Sequence, residues 1–385
     1  MDSRPSIAMI AALAVLVGMN LRPIMASIGP VLGIIQNDLA LTSTQASLLT
    51  TLPVMMMGAF GLAGPWVQRW IGENTGVAIG LLLIAVANGL RAWADQPSTL
   101  IATAALGGTG IAIVQALMPA YLKRVYPQRA GTLMGLYTTG IMAGAAVASA
   151  VAAPGTVTLG WRLMLSSAAI PALAALAICV LCVSRNKAPS DPKGLPINSS
   201  RAWLLMGFFG IGTGAYTLVL AWLAPYYVEL GWSAASAGYL LGALTLTEVM
   251  AGLAVSSVIH QFSDRRVPLA IAILLAMVGL GCLVTAPLEL AIVATVLLGL
   301  GIGALFPLSL IVTLDHTHSP GEAGSLMAFV QGGGYLIAAV TPYFAGILRD
   351  EVSSLRFAWA SMAVGVAVLF VLGRRFSPER SALSS

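Results

Sequence analysis

Apolar residues fill this chain in long runs, and polar residues collect in the short joints between them. Twelve runs can be marked, at about residues 7–35, 43–68, 74–93, 98–122, 130–153, 161–184, 202–228, 234–259, 267–285, 289–314, 322–348 and 355–373. The hydrocarbon layer of a bilayer is ~30 Å thick, a distance that ~20 helical residues cross. Lipid offers no partner to backbone N–H and C=O groups, so such runs predict helices whose hydrogen bonds close internally. The pattern predicts an all-α membrane protein of twelve transmembrane helices.

Composition agrees. Of the 385 residues, 58% are apolar and 9% charged, whereas a soluble domain carries ~25% charged residues. The first run is too long for a cleavable leader and lacks a small-residue cleavage site. The net charge of +5 matters less than its placement. Alternate joints hold Arg4, Arg69, Lys123, Arg124, Arg129, Arg185, Lys187, Lys193, Arg201, Arg265, Arg266, Arg374, Arg375 and Arg380; the opposite joints hold Arg91, Arg162, Arg349 and Arg356. By the positive-inside rule this predicts both termini on the cytoplasmic side of a bacterial inner membrane. Spread over many short loops, these residues form no single patch for nucleic acid.

The longest polar stretch, Arg185–Arg201, contains Pro189, Pro192 and Pro196. It predicts a linker at 185–201 between an N-terminal six-helix bundle, 1–184, and a C-terminal one, 202–385. The halves echo each other. Gly61-Leu62-Ala63 recurs as Gly252-Leu253-Ala254, and Gly110-Ile111 as Gly301-Ile302, both 191 positions later; Gly131-Thr132-Leu133-Met134 returns as Gly324-Ser325-Leu326-Met327 after 193. Three matches in corresponding spans favour an internal repeat. Two pseudo-symmetric bundles suggest the major facilitator architecture, with a cavity between the halves. Gly131/Gly135, Gly140/Gly144 and Gly332-Gly333-Gly334 would serve close helix packing or rocking of one helix on another.

Within the first run the only charge is Arg22, roughly halfway across the bilayer. A central Arg costs about 2.5–3.5 kcal/mol on insertion scales and cannot shed its proton. It needs water, a partner or an anion. Pro23 and Pro30 bend the span and free carbonyls near positions 19 and 26. Helical spacing sets Gly18, Ala26 and Gly29 beside Arg22, leaving room for a ligand. Two readings stand: an anion-reading residue, or a tether bonded to carbonyls and a carboxylate. Glu248, with Thr245 and Gly252 on its face, is the second intramembrane charge. It is a candidate for proton coupling, for pairing with Arg22 or for substrate contact. Gln115, Tyr137, Tyr216, Thr217, Gln331 and Tyr335 are polar residues suited to line a cavity or to bond between helices. Thr217 is roughly the repeat mate of Arg22. Asn20 flanks Arg22 but points ~200° away along a regular helix. Trp222, Met55–Met57 and Phe306 are wall or packing residues. Asp315, beside His316 and His318, reads as a helix-end or gating feature rather than a metal site. Cys179 and Cys182 read as small apolar residues one turn apart, and Cys282 stands alone.

At these residues the chain resembles the cyanate transporter family of the major facilitators, which also includes a 2-nitroimidazole exporter. The resemblance is carried by Asn20-Leu21-Arg22-Pro23 with Ser27-Ile28-Gly29-Pro30, and by Leu48-Leu49-Thr50-Thr51-Leu52-Pro53. It continues through Gly110-Ile111, Gln115-Ala116, Met118-Pro119 and Lys123-Arg124. The second half adds Ala221-Trp222-Leu223, Phe306-Pro307-Leu308 through Leu314-Asp315-His316, and Ala328-Phe329 with Gln331-Gly332. It implies a twelve-span secondary transporter of a small anion, cyanate first, that alternates between inward- and outward-open states. No cofactor and no metal is expected; the expected partners are the anion and the lipid bilayer, protons are a hypothesis resting on Glu248 rather than on the resemblance, and a monomer is expected. In the loop 61–72, where facilitators keep a gating motif, Pro65 stands in the place of its Asp, and Arg69 alone remains of the charge set. The rival within the class is a proton-coupled exporter of small drugs that works through Glu248. An intramembrane enzyme would need paired carboxylates or a His cluster at membrane depth, and all three histidines lie at helix edges or loops.

Overall fold

A computed structural model describes residues 6–181, 194–317 and 320–376, apart from the side chains of 65–69, 130–131 and 320–321. All regular structure among the described residues is helical. Span one is not one helix but four pieces: α1 (Ile7–Met19), α2 (Pro23–Ala26), a 3-10 turn (Gly29–Val31) and α3 (Leu32–Leu39). There follow α4 (Ser43–Ile71), α5 (Glu73–Leu90), α6 (Pro97–Val125), α7 (Ala130–Ser166) and α8 (Ala169–Leu181). The second half comprises α9 (Ser200–Glu229), α10 (Ala234–Val258), α11 (Arg266–Thr285), α12 (Ala291–Leu314), α13 (Pro320–Val352) and α14 (Arg356–Gly373).

The helices start where the chemistry allows. Ser6, Ser199 and Ser233 accept the first free N–H groups of α1, α9 and α10, from Met9, Ala202 and Ser236 at 3.3, 3.3 and 3.1 Å, as N-caps do. Pro97 opens α6, where its missing N–H costs nothing. Many outward side chains are Leu, Val, Ile and Met, such as Ile170, Leu181, Met250 and Val364, an exterior suited to lipid.

Eleven stretches among the described residues are long and apolar enough to span a membrane, where the sequence predicts twelve. The longest, Thr132–Leu181, has 50 residues, about 75 Å of helix against a ~30 Å layer. It is broken at Gly160, whose φ of 74° and ψ of 156° no helix contains and which favours a residue without Cβ. Spans five and six of the sequence pattern lie on either side of that glycine. The predicted linker 185–201 is described only from residue 194 onward, and Cys182 and His318 lie outside the described residues.

The repeat is visible in packing. A Cβ on Gly110 of α6 would lie 2.5 Å from the Gly80 carbonyl of α5, and one on Gly301 of α12 would lie 2.5 Å from the Ala276 nitrogen of α11. Both glycines let neighbouring backbones touch at the same level of each half. Each half also staples those two helices with an ion pair, between the start of the first and the end of the second. Arg124 of α6 pairs with Glu73 of α5 at 2.7 Å; Asp315 after α12 pairs with Arg265 before α11 at 2.9 Å.

Between the halves, α4 packs along α13 and α7 along α10. At the end opposite the termini, Asp350 of α13 accepts the Ser43 and Thr44 N–H groups of α4 at 2.8 and 2.7 Å and the Thr44 hydroxyl at 2.7 Å. Beside it Arg349 donates to Gln36 of α3 at 3.2 Å, pairs with Glu229 of α9 and lies over the Trp222 ring. These contacts tie the first half to the second.

Candidate functional site

Arg22 stands at the joint between α1 and α2, the N-cap of a four-residue helix. Pro23 and Pro30 lack the N–H groups that would continue one helix, so the chain segments instead of merely bending. The guanidinium is buried, at 4% exposure. Its Nη1 lies 3.9 Å from the Met57 sulfur of α4, its Cζ lies 5.3 Å from the Tyr216 ring centroid on α9, and its Nε has no hydrogen-bond partner. Among the described residues no carboxylate forms an ion pair with it.

Four further groups lie within electrostatic reach of Arg22: Tyr216, Tyr335 of α13, Tyr137 of α7 and Glu248 of α10. The Tyr137 and Tyr216 hydroxyls and both Glu248 carboxyl oxygens are buried without hydrogen-bond partners. Glu248 is 4% exposed. The backbone of α12 approaches closely there, so that a Cβ on Gly303 would lie 2.5 Å from the Glu248 Cα. Arg22, Tyr137, Tyr216, Glu248 and Tyr335 thus form one buried polar cluster drawn from both halves, the candidate substrate chamber. An aromatic shelf backs it, with Phe209 edge-on to Tyr335 at 5.4 Å and tilted against Phe306 at 5.6 Å.

Other predicted residues are placed elsewhere. The Asn20 amide donates to the Leu16 carbonyl at 2.7 Å and to Pro171 of α8 at 3.2 Å, facing away from the chamber. It pins α1 to α8. Thr217 is bonded within the α9–α13 contact, to Gly214, Ala338 and Thr341, each at 3.0 Å. Gln115 has a buried, unpartnered Oε1 on α6, and Gln331 is half-buried on α13, one turn before Tyr335. Trp222 donates to the Pro342 carbonyl at 3.0 Å and belongs to the closure under Arg349. Asp315, expected at a gate, is engaged within its own half by Arg265. The adjacent His316 donates from Nδ1 to the Val312 carbonyl at 2.7 Å, and burial lowers its pKa from the usual imidazole range. The Arg69 side chain lies outside the described residues. The small stripe beside Arg22 is not ligand space: Gly18 abuts the α7 backbone at Tyr137 and Gly140, and Gly29 faces the Leu220 carbonyl of α9.

Arg91 and Asp350 escaped the sequence reading. Arg91, assigned there to a loop, is wholly buried at the end of α5. Its position beside a polar joint hid it, because a chain folding inward leaves no mark in hydropathy.

Replacing Asn20 with Leu removes the tie to α8 and leaves the Leu16 carbonyl, which the Asn20 N–H has passed over for Val17, without its donor. The expected result is a loss of about 1–3 kcal/mol in stability with substrate KM unchanged. Thermal unfolding in detergent and vesicle uptake check the two parts.

The family model of the Major Facilitator Superfamily matches residues 8–318 and again 202–385. This chain belongs to that superfamily. Among this facilitator's relatives is the cyanate transport protein CynX of Escherichia coli (strain K12), 37% identical over 95% of this chain and 96% of that protein. The 2-nitroimidazole transporter of the same strain is 31% identical over 93% and 91%. A crystal structure of a D-xylose–proton symporter superposes with a TM-score of 0.79 at 17% identity, over 97% of this chain and 99% of that one. That likeness concerns the fold alone.

Proposed function

We propose that this facilitator carries a small monovalent anion, cyanate first, with Arg22 as the electrostatic anchor. One observation supports the reading: a buried guanidinium, reached by groups from both halves, that makes no ion-pair contact with a carboxylate among the described residues. Burying an unpaired charge is costly, and a visiting anion offsets that cost. Tyr137 and Tyr216 offer unused hydroxyl donors beside it. Both halves meet the anion, so its binding can favour one arrangement of the halves over the other. The relative named for cyanate transport supports the choice of substrate. The lysine and arginine distribution supports cytoplasmic termini in a bacterial inner membrane. Burial of Arg91 removes one of the four cations assigned to the far side and sharpens that asymmetry.

The test is uptake into liposomes carrying the purified protein, with cyanate, nitrite, bicarbonate and formate offered in turn, with and without a pH gradient. Saturable cyanate uptake supports the reading. Movement of neutral 2-nitroimidazole with no anion flux sinks it.

Glu248 favours a coupled mechanism. A buried carboxyl with neither donor nor ion pair is the group in the chamber suited to take up and release a proton. Glu248→Gln is expected to remove the response of uptake to a pH gradient while preserving anion exchange between equilibrated compartments. If the mutant still responds to the gradient, Glu248 is not the coupling group.

A further inference from the structure

The chamber has a second cation behind it. Arg91 is 0% exposed. Its Nη2 donates to the Ile24 carbonyl at 3.0 Å, its Nε reaches the Thr103 hydroxyl at 3.4 Å, and its Nη1 has no hydrogen-bond partner. The Thr103 hydroxyl spends its own proton on the Leu100 carbonyl at 2.7 Å, so it faces Arg91 as an acceptor.

The carbonyl that Arg91 takes is one the broken span leaves over. In a continuous helix, Ile24 would be bonded by the N–H of Ile28. Here that N–H goes to Met25 at 3.1 Å. Ile24 sits two residues after Arg22, inside a single turn that Arg22 itself closes. The Arg22 carbonyl accepts the Met25 and Ala26 N–H groups at 3.0 and 2.9 Å. The Ile24 side chain fills the notch left by Gly107 of α6, where a Cβ would collide with its Cδ1. From behind, then, α5 and α6 grip this turn by a charge-assisted hydrogen bond and a steric notch. In front, the same turn presents Arg22 to Tyr216.

We infer that Arg91 is a positioning residue for anion binding: by holding the Ile24 carbonyl it fixes the short helix that aims the Arg22 guanidinium into the chamber. A buried guanidinium is an expensive filler, and an apolar side chain would pack there at lower cost. What an apolar side chain lacks is a long, charge-assisted reach to a carbonyl that would otherwise stay unpaired. The inference rests on the reading of Arg22 as the anion's anchor.

The experiment measures cyanate KM and kcat in liposomes for Arg91→Leu, Arg91→Lys and Arg91→Gln, for Arg22→Lys, and for Arg91→Leu combined with Arg22→Lys. The folded amount of each is quantified by size-exclusion chromatography. Arg91→Leu is expected to raise KM about tenfold, in keeping with the sensitivity of binding to small misplacements, with kcat and folded amount within about twofold. Arg91→Lys keeps a donor and is expected to recover most of the loss. In the Arg22→Lys background, where the anchor is already spoiled, the Leu substitution is expected to add under about twofold. If Arg91→Leu does not fold, Arg91→Gln replaces it in the comparison. Unchanged KM in the Arg91 variant, or equal effects in both backgrounds, overturns the inference. Unchanged KM in Arg22→Lys alone overturns the anchor reading instead.

Discussion

Alanine at position 22 is expected to lower kcat/KM for the anion by about a hundredfold or more, equivalent to roughly 3 kcal/mol. A charge-assisted contact in a buried site is of that size. Lysine is expected to be nearly as poor, because a planar fork becomes a point charge on a flexible stem. The stability of the variant separates an anchor from a tether. A tether would leave a stranded carboxylate and cost about 3–5 kcal/mol on removal. Arg22 instead contacts a thioether, an aromatic face and Tyr335, with Glu248 in electrostatic reach but not ion-paired, so Arg22→Ala is expected to melt within a few degrees of the parent temperature. Uptake in liposomes and unfolding in detergent measure the two effects. A strongly destabilised variant would identify Arg22 as structural.

The second large effect is expected at the closure opposite the termini. Asp350 accepts three hydrogen bonds from the first turn of α4, two of them from N–H groups at the positive end of the helix. Nothing in the fold requires those donors to meet a residue of the other half; water would satisfy them when the halves part. Asp350→Ala therefore removes an attraction present in one arrangement only. Because the site is partly solvated, each charged hydrogen bond is discounted, to a total of about 1–2 kcal/mol. That shifts the population of conformers parted at this face by about 5–30-fold. Spin labels at positions 40 and 351 read the result directly as a longer component in the distance distribution. An unaltered distribution would remove Asp350 from the closure.

The spans and the repeat were legible in the sequence because lipid imposes length and because glycines at matching positions do matching jobs, as Gly110 and Gly301 do. Arg22 and Glu248 were legible because an ionisable group at membrane depth is conspicuous. Regular helical geometry misled where the helix is not regular. The glycines spaced around Arg22 proved to be the seats of other helices, and Thr217 spends its hydroxyl inside a helix contact. Arg91 and Asp350 sit at helix ends, where hydropathy cannot tell a side chain facing water from one folded back into protein.

The ion pairs at the corners of the two halves bear on how each half keeps its shape. Glu73 with Arg124, and Arg265 with Asp315, each join the start of one helix to the end of its neighbour. Because both partners of each pair belong to the same half, either half can swing as a unit without parting them.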